Sequence, residues 1–199
     1  MQSLAIMNTP EPGVDQEPDV VTRAVNGDRP AFEELYHKYV RKIFNLVYRM
    51  VGSAQEAEEV TQEVFYQAYK NLTGFQGRSK FYTWIFRIAT NVTLQYVKKK
   101  SRHRRDTSFD DVTDAMLPPT GTASGTDPEK EVQSRALYRA LDSAVRRLPP
   151  NQRAVMILGP IQGHTYEQMA AILGTNEEVI KGRLHRAREN IREFLKEER

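Results

Sequence analysis

Apolar residues recur at intervals of three and four along most of this chain, which is the spacing of amphipathic helices. The longest run lies in residues 31–50, where the apolar positions are 32, 35, 36, 39, 43, 46, 47 and 50. Similar spacing predicts a first helix from about Asp19 and later helices over 54–72, 80–100, 128–148, 151–158, 166–173 and from Asn176 onward. The pattern predicts an all-α fold.

Residues that cap or stop helices stand at the ends of these runs. Asp28 can cap the second helix, in which Pro30 takes the second position, where a missing N–H costs little. Gly159-Pro160 must end or kink the helix before it. Three pairs have the spacing of a capping box: Ser53 with Glu56, Thr165 with Gln168, and Thr175 with Glu178.

Charge and turn-forming residues divide the chain into four parts. Residues 1–22 contain three prolines and a net charge of −4, which predicts a flexible N-terminal tail. Residues 23–105 carry 16 basic and 7 acidic side chains, residues 106–133 carry a net −6, and residues 134–199 carry +4. We therefore predict two small helical domains joined by a flexible acidic linker over 106–133. Two basic blocks indicate two contacts with one polyanion.

The totals exclude several classes of function. The 199 residues include no cysteine, which excludes disulfides, thiolate catalysis and cysteine-based zinc sites. The 4 histidines have no metal-ligand spacing, so we expect neither a metal nor another cofactor. No apolar run approaches the length of a membrane span, and the N-terminus lacks the pattern of a secretory signal. We therefore expect a cytoplasmic protein without membrane insertion.

The helix predicted over residues 80–100 carries the most informative chemistry. Its apolar stripe, at positions 81, 85, 88, 92 and 96, requires a core. The other faces carry aromatic and amide side chains, and from Lys98 to Arg105 six of eight residues are lysine or arginine. Asn91 is well shaped to read a base edge, and the combination suits single-stranded nucleic acid. The alternative is that the aromatic residues are core and the basic run is a solvated face.

The helix predicted over residues 54–72 has two faces. Acids near its N-terminal end favour the helix dipole, which is enough to explain Glu56. Glu63 lies two turns in and indicates instead an acidic ridge that could dock a basic protein surface. The apolar stripe is formed by Ala57, Val60, Val64, Ala68 and Tyr69.

The last two predicted helices have the pattern of a helix-turn-helix. Ala170 would allow the two helices to cross closely, and Gly174 provides the tight turn. The second helix turns Val179, Ile180, Leu184, Ala187 and Ile191 inward. Its outer face is cationic and could enter a DNA major groove through Lys181, Arg183, His185, Arg186 and Arg188.

Both halves together resemble the extracytoplasmic-function (ECF) sigma factors of bacterial RNA polymerase. The first half contains GDRPAFEELYHKY, EEVTQEVFYQAY and FQGRSKFYTWIFRIATN, which are similar to sigma region 2. The second half contains LPPNQRAVMIL, TYEQMAAILG and KGRLHRARENI, which are similar to region 4. The resemblance covers nearly the whole chain from about Val20 and implies a non-enzymatic factor that binds core polymerase, recognises −10 and −35 promoter elements and assists melting.

The resemblance also implies roles for particular residues and partners. Polymerase binding, on the beta-prime clamp, is implied for Glu59, Gln62 and Glu63, and the beta flap and an anti-sigma factor are further implied partners. The resemblance implies a factor associated with the nucleoid, which an anti-sigma factor could instead hold at the inner membrane. Contact with the −10 element is implied for Phe75, Arg78, Ser79, Lys80, Tyr82, Trp84, Arg87, Asn91, Lys98, Lys99 and Lys100. Contact with the −35 element is implied for Lys181, Gly182, Arg183, His185, Arg186 and Arg188.

Two other functions fit part of the sequence. A free-standing regulator could bind duplex DNA through the helix-turn-helix alone, but it leaves the acidic ridge and the aromatic-basic helix without a role. A hydrolase could use Glu58, Glu59 and Glu63, yet these acids lack a paired partner, a phosphate loop or a metal cluster. The chain departs from the family pattern at Gly159-Pro160, where relatives continue a helix.

Overall fold

The computed structural model describes residues 17–106 and 140–197, and every regular element within these ranges is a helix. The N-terminal unit contains α1 (Glu17–Val25), α2 (Arg29–Val51), α3 (Ala54–Asn71), a 3₁₀ turn (Leu72–Gly74) and α4 (Phe81–Asp106). The C-terminal unit contains α5 (residues 140–147), α6 (Pro150–Met156), a π-helical turn (Ile157–Ile161), α7 (Tyr166–Leu173) and α8 (Glu177–Glu197). The predicted all-α fold in two helical units is confirmed.

Helix α1 begins inside the range that the sequence predicts as a tail. It starts at Glu17, two residues before the helix start predicted at Asp19, so residues 17–22 are helical. The helix buries Val20 and Val21 in the N-terminal core, and Tyr39 of α2 donates a 2.5 Å hydrogen bond to the carboxylate of Glu17. These long-range contacts outweigh the local signal from the prolines. The predicted linker beyond residue 106, and the part of the 128–148 helix before residue 140, lie outside the described residues.

Most of the predicted helix caps are present. The carboxylate of Asp28 accepts a backbone N–H from the first turn of α2 at 3.4 Å. The hydroxyl of Ser53 accepts the N–H of Glu56 at 3.5 Å. At α7 the capping box is complete, because the hydroxyl of Thr165 accepts the backbone N–H of Gln168 at 3.2 Å and the side-chain oxygen of Gln168 accepts the backbone N–H of Thr165 at 2.9 Å.

Two details of the predicted capping boxes are wrong. Glu56 does not complete the first box, because its carboxylate forms an ion pair with Lys100 of α4 instead. The cap of α8 is Asn176 and not Thr175. The side chain of Asn176 accepts the N–H of Val179 at 2.9 Å, so the helix begins one residue later than the predicted box requires.

The core of the N-terminal unit lies between α2, α3 and α4. Most predicted apolar stripes of this unit are buried, but Tyr36 and Tyr69 are exposed although the spacing placed them on such stripes. Tyr69 makes an edge contact with the ring of Phe32, at 5.0 Å between centroids, on the outer side of the α2–α3 seam. A tyrosine can keep its hydroxyl in water there while its ring covers apolar surface. The largest fully buried side chains of this unit are Leu35, Tyr39, Ile43, Leu46, Met50, Ile85 and Phe86.

The two units pack directly on one another. Helix α4 lies against α7 and α6, and the end of α2 contacts α6 and the π-helical turn. Buried residues of both units, such as Phe86 on α4 and Met169 on α7, belong to one continuous apolar core. A smaller core joins α5 to α8 through Val145, Leu148 and Ile191. The sequence predicted loosely tethered domains, whereas in this structure the domains share an interface.

Gly159-Pro160 ends α6 in a wider turn. Residues Ile157–Ile161 are π-helical, and Pro160 lies exposed inside that turn. Gly159 is buried, and a Cβ placed on it would lie 3.0 Å from the sulfur of Met169. The predicted helix break is confirmed, and its packing consequence is that α7 approaches the backbone of the turn closely.

Candidate nucleic-acid interface

Helix α4 presents a continuous polar stripe to solvent. Positions 87, 91, 95, 98 and 102 follow each other at three- and four-residue spacing, so they lie on one side of the helix. All five side chains are exposed: Arg87, Asn91, Gln95, Lys98 and Arg102. The 15 residue-to-residue steps from Arg87 to Arg102 correspond to about 22 Å of helix at 1.5 Å per residue. A stripe of this length and charge can follow several nucleotides of a single strand.

The loop before α4 and the first turn of the helix hold an aromatic cluster. The ring of Phe75 lies 5.2 Å from Trp84, and Phe81 lies 5.4 Å from Trp84, between centroids. Phe81 is buried, while Phe75 and Trp84 are half-buried. The other three predicted loop contacts are exposed, namely Arg78, Ser79 and Lys80. The cluster therefore fixes the loop to α4 and leaves part of two aromatic rings available for stacking.

Two residues predicted to contact the −10 strand are engaged by the C-terminal unit. The hydroxyl of Tyr82 lies 2.6 Å from Nε2 of His164, and the two rings stack at 5.5 Å. The guanidinium of Arg87 donates to the backbone carbonyl of Ala171 in α7, at 3.0 Å from Nε. Burial raises the pKa of Tyr82 to about 12, so its hydroxyl stays protonated at neutral pH.

The three lysines at the end of α4 differ in their surroundings. Lys98 and Lys99 are exposed. Lys100 is partly buried, and its ammonium pairs with Glu56 at the start of α3. This pair holds α4 against α3, so Lys100 contributes to the fold as well as to the charge of the surface.

The acidic ridge of α3 lies on the solvent side of that helix. Glu59, Gln62 and Glu63 are exposed, while their neighbours Val60 and Val64 are buried. The carboxylate of Glu63 accepts a 2.7 Å hydrogen bond from Gln67 one turn later. The structure therefore places the three predicted polymerase-binding side chains together on one accessible face.

The cationic face of α8 is accessible along most of its length. Lys181, His185, Arg186 and Arg188 are exposed, whereas Gly182 and Arg183 are half-buried. Three local contacts hold these side chains. The ammonium of Lys181 lies 5.9 Å from the ring of Tyr166, His185 is 3.3 Å from Glu189, and the Nε of Arg186 donates to the carbonyl of Gly182 at 3.3 Å. A Cβ at Gly182 would make an ordinary contact, so packing does not require glycine there.

Sequence patterns missed the residues that join the two units. Arg153 donates to the carbonyl of Met50 at 2.6 Å, and Arg146 donates to the carbonyl of Gly52 at 3.2 Å. His164 is buried, with Nδ1 2.7 Å from the carbonyl of Leu158. These contacts bridge sequence separations that no local spacing predicts. Burial, with some repulsion from Arg146, lowers the pKa of Arg153 to about 10, which still leaves it protonated.

Other kinds of site were also sought over residues 17–106 and 140–197. No group of three or more His, Cys, Asp or Glu side chains there is placed to hold a metal ion. The same residues include no helix with the length and apolar character needed to cross a membrane.

Sequence comparisons match both halves of the chain. The family model for Sigma-70 region 2 matches residues 35–103, and that for Sigma-70 region 4 matches residues 138–191. The ECF RNA polymerase sigma factor SigW of Bacillus subtilis (strain 168) is 33% identical over 178 residues, covering 89% of this chain and 95% of the relative. The ECF RNA polymerase sigma-E factor of Escherichia coli (strain K12) is 32% identical over 173 residues, covering 86% and 90%.

Two solved structures share the fold. CnrH, in complex with the cytosolic domain of CnrY, has a TM-score of 0.64 at 21% identity and covers 93% of this chain and 100% of its own. The sigma factor RpoE of Bartonella quintana, in complex with the anti-sigma factor NepR, has a TM-score of 0.63 at 23% identity, covering 84% and 98%.

The two helical units, with a basic stripe on one and a helix-turn-helix in the other, define a transcription initiation factor of the Sigma-70 class. Within that class the chain belongs to the ECF sigma factors. It is a promoter-specificity factor whose partners are core RNA polymerase and promoter DNA. The hydrolase and the free-standing regulator are therefore both wrong, because sigma factors are non-enzymatic and act with the polymerase.

Proposed function

We propose that each of the three exposed surfaces performs one step of initiation. The acidic ridge on α3 binds the polymerase, the loop and stripe of α4 bind the −10 element, and the cationic face of α8 binds the −35 element. The observation that carries this division is the exposed stripe from Arg87 to Arg102, because it combines an amide with cations over about 22 Å of one helix.

The −10 site is proposed to capture a base from the opening duplex. Extracting a base costs a few kcal/mol, and stacking on an aromatic ring returns about 1–3 kcal/mol. The half-buried rings of Phe75 and Trp84 offer such a surface, and Asn91 can hydrogen-bond a base edge. Lys98 and Lys99 would neutralise nearby phosphates, which makes binding depend steeply on salt.

The polymerase site is proposed to lie on Glu59, Gln62 and Glu63, facing basic residues of the beta-prime clamp. All three are exposed on a helix whose opposite side is held in the core, so the ridge is presented on a rigid element. Charge complementarity of this kind speeds association and selects the partner.

The −35 site is proposed to lie at the start of α8, which would enter the major groove. Lys181, His185 and Arg186 are exposed near the N-terminal end of that helix, where recognition helices contact base edges. The C-terminal unit is further proposed to rest on the beta flap of the polymerase.

An anti-sigma factor is proposed as the regulating partner. The support is the shared fold, since two structures of this fold are complexes with such a partner or with a cytosolic domain. We further propose a cytoplasmic factor that is bound at the nucleoid when active and held at the inner membrane if its partner is anchored there.

The proposed division predicts that two substitutions separate promoter opening from polymerase binding. Asn91→Ala should reduce open-complex formation about tenfold or more, since one lost specific base contact is worth roughly 1–3 kcal/mol, and polymerase affinity should hardly change.

Glu63→Lys should reduce polymerase affinity, because it reverses the charge of the ridge. Affinity is measured with labelled factor and purified core enzyme, and opening by permanganate reactivity on a promoter selected by transcription of a genomic library.

Matched controls are available on exposed positions outside both sites. Asn71→Ala removes an amide from the end of α3, and Glu33→Lys makes the same charge reversal on α2. Both controls should behave like the unsubstituted protein. Equal loss of binding and opening in Asn91→Ala would overturn the role proposed for the amide, and normal polymerase affinity in Glu63→Lys would overturn the ridge.

A further inference from the structure

We propose that Glu56 is a positioning residue for the −10 site: through Lys100 it fixes the direction in which the basic end of α4 leaves the core, and Lys100 itself does not contact DNA. This inference rests on the −10 role proposed for α4. The basic end comprises residues 98–102, in which Lys98, Lys99 and Arg102 are exposed.

The first observation is that Lys100 points away from the stripe on α4. Lys98 and Arg102 are four residues apart and lie on the stripe, whereas Lys100 is two residues from each. Two residues correspond to about 200° of rotation around a helix with 3.6 residues per turn. The ammonium of Lys100 accordingly meets α3, where it pairs with the carboxylate of Glu56. A strand that follows the stripe is therefore on the opposite side of α4 from this ammonium.

The second observation is that the ion pair lies beyond the apolar core. Thr93 is the last buried side chain of α4, and none of the described side chains from 94 to 103 is buried. Lys100 follows Thr93 by seven residues, which is about 10 Å of helix at 1.5 Å per residue. The pair therefore restrains α4 two turns past its packed part, just where the basic end is exposed.

The third observation is that the pair forms at a local cost. Glu56 stands three residues after the cap Ser53, where a glutamate can complete a capping box, but its carboxylate turns to α4 instead. The Glu56 side chain is 20% exposed, and its Oε2 is buried without a hydrogen-bond partner in the described part of the chain. Burial, and next the charge of Glu56, raise the pKa of Tyr96, which lies one turn before Lys100 on α4. Ion pairs removed from water often add little net stability, so the geometry that this pair imposes explains it better than its energy.

A positioning role and a direct DNA contact predict opposite results for Glu56→Gln. If Glu56 positions the basic end, the neutral amide releases Lys100, the end of α4 moves, and phosphate contacts are lost. If Lys100 is instead a phosphate contact restrained by Glu56, the same substitution frees a cation and adds a contact. Each phosphate contact to a single strand changes the slope of log Kobs against log salt concentration by about 0.7.

The test uses the complex of the full chain with core polymerase on a promoter selected by transcription of a genomic library. Glu56→Gln and Lys100→Met should each lower the salt slope by about 1.4–2.1, the equivalent of two or three phosphate contacts, and reduce open-complex formation about tenfold. Lys100→Glu alone should also lower both. The exchanged pair, Glu56→Lys with Lys100→Glu, should restore most of both quantities, because an ion pair of reversed order holds the same helix. Glu33→Gln, an exposed acid on α2, is the matched control and should change neither.

A second measurement needs neither polymerase nor DNA. Because the chain has no cysteine, Ser101→Cys provides one exposed labelling site beside Lys100. The electron spin resonance spectrum of a nitroxide there should show greater mobility in Glu56→Gln and Lys100→Met, and the original mobility in the exchanged pair. Thermal unfolding of the same variants checks that each is folded at the temperature of the binding assays, so that the salt slope reports contacts with DNA.

Three results would overturn the inference. A steeper salt slope in Glu56→Gln would make Lys100 a phosphate contact. Unchanged label mobility in both neutral variants would remove the positioning role. A slope that stays as low in the exchanged pair as in Lys100→Glu alone would assign the loss to the lysine itself.

Lys99→Met separates these failures from a failure of the proposed function. It removes one exposed cation of the basic end and should lower the salt slope by about 0.7. If it does so while Glu56→Gln leaves the slope unchanged, only the positioning role is wrong. If neither variant changes the slope, the basic end does not bind promoter phosphates, and that part of the proposed −10 site is wrong as well.

Discussion

At the scale of single residues, buried polar side chains determine how the two units meet. His164 is 7% exposed and accepts or donates at both ring nitrogens, towards Tyr82 and towards the carbonyl of Leu158. Burial lowers the pKa of His164, although its bond to the carbonyl acts in the opposite direction. A neutral imidazole fits both partners, since Nδ1–H can donate to the carbonyl while Nε2 accepts from the tyrosine hydroxyl.

The first prediction at this scale concerns pH. The folded-state pKa of His164 lies below its ordinary value, so the unfolded chain binds more protons as pH falls through about 6.5. The contribution of His164 to the free energy of unfolding should therefore be fully present above that pH. The free energy of unfolding should decrease as the pH falls from 7.5 to 5.5. Tyr82, which faces the imidazole, does not titrate in this range because its pKa is raised to about 12.

Urea unfolding at the two pH values checks this prediction. His164→Gln retains a donor and an acceptor but cannot titrate, so its free energy of unfolding should change less with pH than that of the unsubstituted chain. Identical changes in the two proteins would assign the pH dependence to groups other than His164.

A second residue-scale prediction concerns Gly159. A Cβ there would lie 3.0 and 3.1 Å from two side-chain atoms of Met169, which is itself fully buried. Gly159→Ala should therefore destabilise the chain by about 1–3 kcal/mol, the usual cost of an overpacked core, despite the better helix propensity of alanine. In the background Met169→Ala the same substitution should cost little, because the clash is gone. A double-mutant cycle by thermal unfolding measures this coupling.

At the scale of the helix, local signals near each terminus decide where an element begins. The start of α8 illustrates the competition, because both Thr175 and Asn176 are able to cap a helix. The backbone N–H of Thr175 donates to the carbonyl of Ala170 and closes α7, which leaves Asn176 to cap α8. The end of one helix thereby sets the first residue of the next.

The prediction at this scale compares the two candidate caps. Asn176→Ala should lower the free energy of unfolding by about 1 kcal/mol, which is typical for loss of an N-cap side chain. Thr175→Ala is the matched control and should cost clearly less, because its role in the turn uses only the backbone. Urea unfolding of both variants is the measurement, and an equal or larger cost for Thr175→Ala would restore the capping box predicted from sequence.

At the scale of the whole molecule, the shared interface makes the two units thermodynamically dependent. One apolar core includes residues of both, and Arg146 and Arg153 donate hydrogen bonds to carbonyls at the C-terminal end of α2. Separation would expose apolar surface on α4 and α7 together with the buried His164. We therefore expect the units to unfold together.

Coincidence of two probes tests this expectation. The single tryptophan, Trp84, lies in the N-terminal unit, so its fluorescence reports that unit, whereas far-UV circular dichroism reports all helices. The two urea midpoints should agree in the unsubstituted chain and diverge in Arg146→Ala, which weakens the interface. Divergence already in the unsubstituted chain would show that the interface does not couple the units.

The sequence by itself determined the helices and the chemistry of their exposed faces. Apolar spacing predicts the burial of Ile85 and Val64 and the exposure of Asn91 and Glu63, because both properties follow from the helical repeat. Three of the four caps named beforehand act at the expected helix starts for the same reason, since a cap depends on neighbours within one turn.

Only the tertiary structure decided what happens between helices. Nothing local predicts that Glu56 pairs with Lys100, that Tyr82 meets His164, or that two arginines cap the end of α2. Each contact joins residues more than 40 positions apart, and its energy depends on burial and direction in space rather than on spacing. The helical pattern therefore sets which surfaces exist, while packing sets which of those surfaces are accessible.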